Sequence, residues 1–574
     1  MKKLFNILKE KLAPLSSKLQ SLKSILPQKK PHSEKYYKRI AFLNKYSLIF
    51  HFLLACLLIL AVETISRRDF VSAITFISNH TLAFLYNALI IFASLSLVYL
   101  TKYRTQMRIL ISGLWIFLGT VNGLILSNRV TPFSYTDLKC LPDLFAMQNT
   151  NYFTAEEATM VVSVVVAFFV ILGLLFAKGP RYQGKRHTVL GPVSIAALIL
   201  IGLPITTQAA QSSNILASYF ANIAQGYSDY GFVYGFSTSV VGRGMDKPED
   251  YSEETVDAIN TLVDSASSPT TVSTGSEPNV ICVLLESFCD PYEVNFLNMS
   301  EDPIPNFHNL EANYSTGYLT VPVVGAGTAN TEFEVLTGMS MQYFGTGEYP
   351  YKTILKQTDC ESIADDLSQI GYGTHVVHNN TATFYSRNNA FSMMGFDTFT
   401  SKECMNISQY TPNGNWPTDD VLVQETVKAM NATENQSDFV YTITVEGHGD
   451  YPTEKLLENP DILVSGAADE ASNNQWEYYV NMIHEVDDFI GDLITAVDRR
   501  GEDTIIVFFG DHLPTMGLTD ADMKSGDIFK TKYITWNNMG LAKKDADLTA
   551  YQLLAHITDQ AGIHEGTMFR YHQT

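Results

Sequence analysis

Four residues in this 574-residue chain could do chemistry together. Glu286 follows the apolar run NVICVLL, Thr328 sits in GAGTANTEF, and Asp511 and His512 follow TIIVFFG. A threonine hydroxyl is a weak nucleophile at neutral pH, but a nearby divalent cation stabilises its alkoxide just as it lowers the pKa of bound water. Glu286, Asp511 and His512 supply two carboxylates and an imidazole, a set suited to manganese or zinc, with the Thr328 oxygen or a substrate oxygen as fourth ligand. Gly325 and Gly327 permit a close-approaching backbone. A helix starting just after Thr328 would aim its amides at an anion. The set points to phosphoryl transfer.

Each residue alone also has a plain structural reading. A Glu after a strand is commonly solvated, an Asp-His pair can cap a helix, and a Thr after Gly is a common N-cap. The joint pattern favours chemistry, because these residues all stand at the carboxyl ends of predicted strands. In an α/β sheet such ends converge on one crevice.

The elements that must position them are legible as short apolar runs bounded by polar residues. Strands are predicted at about 279–286, 316–321, 372–378, 439–446 and 504–510, alternating with helices at about 360–370 and 475–499. The alternation predicts a mostly parallel sheet with helices on both faces. The segment from 279 onward is long enough for one large core.

Charge divides the chain near residue 208. Residues 1–208 hold 23 Lys and Arg against 8 Asp and Glu, whereas the rest holds 16 against 52. So acidic a second half lacks the basic surface that nucleic-acid phosphates require. The first part carries five apolar stretches of membrane-spanning length, at about 46–62, 81–100, 109–127, 159–177 and 188–206,. Twelve Lys and Arg precede the first, and the loops 101–108 and 178–187 are basic. By the positive-inside tendency, five spans from a cytoplasmic amino terminus place everything after about 207 outside the cell.

The expected organisation is a basic, amphipathic amino terminus (1–45), a membrane domain of five helices (46–207), a juxtamembrane connector and linker (208–278), and an extracellular domain (279–574),. Tyr135 and Asp137, in the outer loop 134–139, read as an ordinary interfacial loop or as a guide for a lipid head group,. The six cysteines match no zinc module. Outside the cell a bond between Cys360 and Cys404 is chemically allowed, and the sequence does not fix their separation.

The strings LLESF (284–288), GTANTEFEVLTG (327–338), HNNTATFYSR (378–387), TVEGHGDYP (444–452) and FFGDHLP (508–514), with the connector DKPEDYSEE (246–254), carry a resemblance. The chain resembles the lipoteichoic acid synthase family, within the alkaline phosphatase and sulfatase superfamily. That implies five spans followed by an extracellular α/β/α sandwich. It implies a metal site of Glu286, Thr328, Asp511 and His512 with Thr328 as nucleophile, and Arg387, His448 and His378 as residues around the phosphoglycerol group. It implies one divalent metal ion, manganese by precedent, with zinc or magnesium as other candidates. The implied partners are phosphatidylglycerol, a glycolipid or teichoic acid acceptor, and the membrane. The chain departs from the family pattern at Tyr385, where a Trp is expected, and at Gly327, where a Lys is expected.

Arg387 and His448 also make independent chemical sense. Arginine offers a planar fork of donors to phosphate oxygens, and histidine can donate to charge that builds in a transition state. Close alternatives are phosphoethanolamine transfer and a sulfatase or phosphodiesterase-type hydrolase. Sulfatases of this type mature a Cys or Ser in a C/S-x-P-x-R setting, and the nearest string here, Cys289-Asp290-Pro291-Tyr292-Glu293, has Glu in place of Arg. His375, His484, His556, His564 and His572 read as structural.

Overall fold

The computed structural model describes residues 33–126, 131–146, 155–179, 182, 187–217, 220, 223–242, 244–245, 247–248, 250–266, 277–433 and 435–574. The basic amphipathic segment 1–32, most of the loop 178–187 and most of the linker 264–278 therefore lie outside the described residues. The chain divides into two compact units, Met1–Leu54 and Ala55–Thr574.

Helices cover all five apolar stretches: Ser47–Arg67, Thr81–Leu100, Arg104–Ile125, Ala155–Lys178 and His187–Ser212. Among the described residues, the first three are long and apolar enough to cross a membrane by length and composition. One cluster of buried polar side chains lies at the end of this group that includes Glu63, Ser66, Asn87 and Asn122. Glu63 accepts from Phe232 N at 2.8 Å and is gripped by Arg67 at 2.8 Å, while Asn87 accepts from Tyr234 N at 2.7 Å. These buried groups are satisfied by the helices Ile223–Tyr230 and Phe232–Val241, as apolar surroundings demand. The connector predicted over 208–278 is thus helical in large part, with a third helix at Glu253–Ala266.

The part of the chain after residue 278 carries ten strands among the described residues: β1 Asn279–Leu285, β2 Asn298–Met299, β3 Thr316–Thr320, β4 Gly373–His378, β5 Thr398–Ser401, β6 Asp438–Ile443, β7 Val464–Ser465, β8 Thr504–Gly510, β9 Lys530–Asn537 and β10 Leu548–Thr549. Eight form one sheet in the order β10-β3-β9-β8-β1-β6-β4-β5, and β2 and β7 form a separate ribbon. Strands β8, β1, β6, β4 and β5 run parallel, as the alternation predicts. The sheet is nevertheless mixed, because β9 runs antiparallel to both β8 and β3.

Side-chain alternation gives the two faces their separate cores. Val280, Cys282 and Leu284 point into one apolar cluster with Phe333 and Leu336 of the helix Thr328–Thr337. Ile281, Val283 and Leu285 point into the other, against Val480, Ile483 and Ile490 of the long helix Glu470–Asp498. Both faces are covered, so β1 and β8 read as continuous apolar runs. The register then fixes the site. His378, Ile443, Leu284 and Phe509 lie on one line across β4, β6, β1 and β8. Glu286 and Asp511 follow immediately after the last paired residues of β1 and β8, Leu285 and Gly510.

Candidate active site at the carboxyl edge of the sheet

The turn after β1 is held from several sides. Glu286 N donates to Thr444 Oγ1 at 2.8 Å, and Ser287 N donates to Asp511 Oδ1 at 2.8 Å. Tyr479, from the long helix, donates to Ser287 O at 2.8 Å and accepts from Cys289 N at 2.9 Å. Ser287 itself has φ 53°, a left-handed conformation that costs a non-glycine residue energy and persists because these bonds over-determine it,.

Thr328 opens its helix directly after Gly327, whose φ of 105° is open to glycine at no steric cost,. Thr331, one turn on, ties that helix to the carbonyl of Asp511 at 2.9 Å. The Thr328 hydroxyl donates to Glu286 Oε2 at 3.2 Å and lies 3.5 Å from His512 Nε2. His512 Nε2 is 3.7 Å from Glu286 Oε1 and 3.3 Å from Asp511 Oδ2. One ligand atom from each of Glu286, Asp511 and His512 lies within 4.8 Å of the other two, and all three residues are buried.

This donor set fits a divalent cation. His512 Nδ1 faces the Leu513 carbonyl at 3.0 Å and so carries the proton, which leaves a lone pair on Nε2 facing the carboxylates,. Asp511 Oδ2 is buried without a hydrogen-bond partner. Burial pushes the Asp511 carboxyl upward, and the Glu286 charge beside it pushes the same way. Two carboxylates crowded in a dry pocket are what a cation relieves.

Three further groups stand around this centre. Arg387 is buried, and its Nη2 and Nε donate to Glu332 Oε1 at 2.6 and 3.1 Å. One edge of the fork expected for phosphate is therefore occupied by a carboxylate. His378, the last residue of β4, places Nδ1 2.9 Å from Ile443 O and leaves Nε2 buried without a partner. Burial, reinforced by the Arg387 charge, holds its pKa well below the ordinary histidine range. His448 lies with its ring centroid 4.3 Å from that of Trp416, and its Nδ1 has no hydrogen-bond partner. Burial also lowers the His448 pKa, against the pull of Glu286. The loop bearing His448 comes so close to β1 that a Cβ on Gly447 would meet Glu286 O at 2.3 Å.

All seven residues singled out from the sequence thus stand on elements around one edge of the sheet. The structural histidines are engaged elsewhere: His375 with Thr398, His484 with Pro303 O, His556 with Gln560, His564 with Gln573 and His572 with Gly338 O. Cys360 and Cys404 are not bonded to each other.

Sequence reasoning missed Glu332, Trp416 and Tyr349, whose ring stacks on that of Tyr385 with centroids 5.6 Å apart. Glu332 carried a signal, since it lies four residues after Thr328 and so on the same helix face. Trp416 carried none, because its partner is distant in sequence.

Residues 278–563 match the Sulfatase family model, and this segment is a domain of that family, within the alkaline phosphatase superfamily. The chain is 28% identical, over 354 residues and 59% of its length, to a protein of Rhizobium meliloti (strain 1021) named for cyclic beta-1,2-glucan modification. It spans 53% of that relative's length. It is 23% identical over 242 residues, 41% of this chain and 35% of the relative, to the lipoteichoic acid synthase of Staphylococcus saprophyticus subsp. saprophyticus. Among solved structures it is similar to the phosphoglycerol transferase GacH of Streptococcus pyogenes in complex with sn-glycerol-1-phosphate, with TM-score 0.50 and 22% identity over 57% of this chain and 86% of that one. The last likeness is one of fold.

Proposed function

We propose that the protein is a membrane-anchored transferase that moves a phosphoglycerol group from phosphatidylglycerol to lipoteichoic acid or a related cell-envelope glycan. The observation that carries this reading is the Thr328 hydroxyl, 3.2 Å from Glu286 and 3.5 Å from His512 at the mouth of a buried ligand set. The reading places residues 46–207 in the membrane as five spans and residues 279–574 outside the cell. The three apolar helices among the described residues support the anchor.

Glu286, Asp511 and His512 would hold one divalent metal ion, with manganese as the first candidate, and its charge would stabilise the Thr328 alkoxide. Thr328 Oγ1 then attacks the phosphorus. An oxygen–phosphorus bond to threonine forms, the bond to diacylglycerol breaks, and diacylglycerol leaves with a proton. A hydroxyl of the acceptor next attacks the phosphoglycerol-threonine, and its own proton passes back as Thr328 is restored. Arg387 presents to the phosphate the donors that Glu332 does not occupy. His448, neutral in its buried setting, donates to a non-bridging oxygen, and His378 Nε2 accepts from a head-group hydroxyl. Most of the rate enhancement comes from positioning and charge neutralisation.

The test is to incubate the purified protein with labelled phosphatidylglycerol, phosphatidylethanolamine and an aryl sulfate. Consumption of phosphatidylglycerol with release of diacylglycerol is expected. Consumption of phosphatidylethanolamine alone, or of the sulfate alone, would replace this reading with phosphoethanolamine transfer or sulfate hydrolysis.

A further inference from the structure

The helix Tyr135–Ala146 belongs to neither the sheet nor the long apolar helices, yet its start is fastened to both. On the apolar side, Phe133 N donates to Asn122 Oδ1 at 2.6 Å, and Asn122 Nδ2 donates to Ser66 Oγ at 3.2 Å. The Phe133 ring stacks on Phe236 at 5.5 Å, and Tyr135 N donates to Ser239 Oγ at 2.9 Å. On the catalytic side, Thr131 Oγ1 donates to Val324 O at 3.4 Å and Ser134 Oγ to Gly347 O at 3.3 Å. Asp137 caps the first turn by accepting from Ser134 N at 2.7 Å. What reads from sequence as an outer loop is thus a pinned helix.

That helix packs against the short helical turns Pro350–Lys352 and Phe384–Ser386. The second turn carries Tyr385, whose ring lies 5.3 Å beneath the Arg387 guanidinium and stacks on Tyr349. The Tyr349 hydroxyl would sit 3.5 Å from a Cβ on Gly327, the residue before Thr328. Cys140, on the helix, lies in the neighbourhood of the Tyr385 phenol. Contacts therefore run without a break from the end of an apolar helix, through Tyr135–Ala146, to the groups around Thr328.

We propose that the helix Tyr135–Ala146 is the bilayer-facing wall of the catalytic pocket, along which a phospholipid head group reaches Thr328 while its acyl chains stay in the membrane. This rests on the reading of the site as a phospholipid-dependent transferase. Withdrawing both acyl chains into water is prohibitive, because each exposed methylene adds an unfavourable increment, so a wall continuous with the membrane helices solves the delivery problem. The exposed Leu138 offers apolar surface on this helix, and Lys139 beside it offers a cation to an anionic head group,.

The experiment uses the full chain in detergent-free lipid discs with two donors: phosphatidylglycerol in the bilayer, and a water-soluble glycerophosphoryl 4-nitrophenyl diester. Leu138→Asp should raise KM or cut turnover for the bilayer donor by about tenfold or more, and leave the soluble diester within about threefold of wild type. Equal loss on both donors, or no loss on either, would overturn the proposal. A second readout needs no variant: alkylation of Cys140, followed by peptide mass, should slow when phosphatidylglycerol replaces phosphatidylcholine in the discs, and an unchanged rate counts against the proposal. If wild type turns over neither donor, the functional reading fails, while Cys140 protection still decides where the lipid sits.

Discussion

Arg387 and Glu332 form a buried pair in which guanidinium Nη2 and carboxylate Oε1 are 2.6 Å apart and both side chains are nearly inaccessible to water. The pair joins the helix that begins at Thr328 to the one that begins at Arg387. It therefore sets both how the nucleophile is held and which face of the guanidinium a phosphate can meet. Tyr351 donates to the same carboxylate at 3.2 Å, so Glu332 is a junction rather than a bystander.

Removing one partner leaves an uncompensated buried charge. Glu332→Ala should lower unfolding free energy by about 3–5 kcal/mol, the usual cost of breaking such a pair. Arg387→Lys keeps the charge but loses the planar fork, so turnover should fall although the protein folds. Denaturant unfolding of the two variants, with turnover measured alongside, checks both statements. Wild-type stability in Glu332→Ala would mean the pair is not formed.

Gly447 gives a steric prediction. A methyl group there meets the Glu286 carbonyl at 2.3 Å, so the loop bearing His448 must move away from β1. Gly447→Ala should cut turnover by about 100-fold, because displacement of catalytic groups by about 1 Å carries that order of penalty. Gly449→Ala, whose nearest neighbour would be Thr515 Oγ1 at 4.0 Å, is the control and should cost far less. Equal kinetics for the two variants would contradict the packing described.

Chelation should abolish activity, and manganese or zinc should restore it. Added metal should also raise the thermal midpoint, since a ligand that binds only the folded state stabilises it by mass action. A calorimetric scan with and without chelator reads the stability effect independently of turnover. An identical midpoint in both, with no metal by elemental analysis, would remove the cation from the site.

A pH-dependent contribution to stability sits outside the active site, at His308. Its Nδ1 lies 2.8 Å from Asp302, and its Nε2 lies 3.5 Å from Asp290. Burial opposes the charged imidazole, but hydrogen bonds to Asp290 and Asp302 outweigh it and push the pKa up to about 9. The folded value lies above the unfolded value of about 6.5, so this cluster contributes fully below about pH 6.5 and loses its contribution as pH rises through about 9. His308→Gln should therefore be most destabilised relative to wild type near pH 6, with the gap closing by about pH 10. Thermal midpoints of the two proteins across that range test it, and a gap that widens with pH would reverse the assignment.

The parts of the fold legible in the sequence are those whose burial is local and two-sided. β1 and β8 lie in the middle of the sheet with a core on each face, so NVICVLL and TIIVFFG are apolar throughout and their ends point to Glu286 and Asp511. β9 was not legible. Its sequence KTKYITWN opens with two lysines, and Lys532 is accommodated by Asp290, Glu293 and Glu311, which the fold brings to it across more than 200 residues. The same holds for the site. Thr328 and Glu332 share a helix face that spacing reveals, but the arginine bound to Glu332 is 55 residues away. The contact of Trp416 with His448 likewise depends on packing that no local pattern encodes.

Under the proposed mechanism Thr328 becomes covalently modified. Wild-type protein mixed with phosphatidylglycerol and quenched within a turnover should yield a Thr328 peptide heavier by one glycerophosphoryl group, and Thr328→Ala should lack the adduct and lose diacylglycerol release by orders of magnitude. No adduct on Thr328 in the wild type, together with a Thr328→Ala variant that retains more than roughly a tenth of normal release, would rule out Thr328 as the nucleophile.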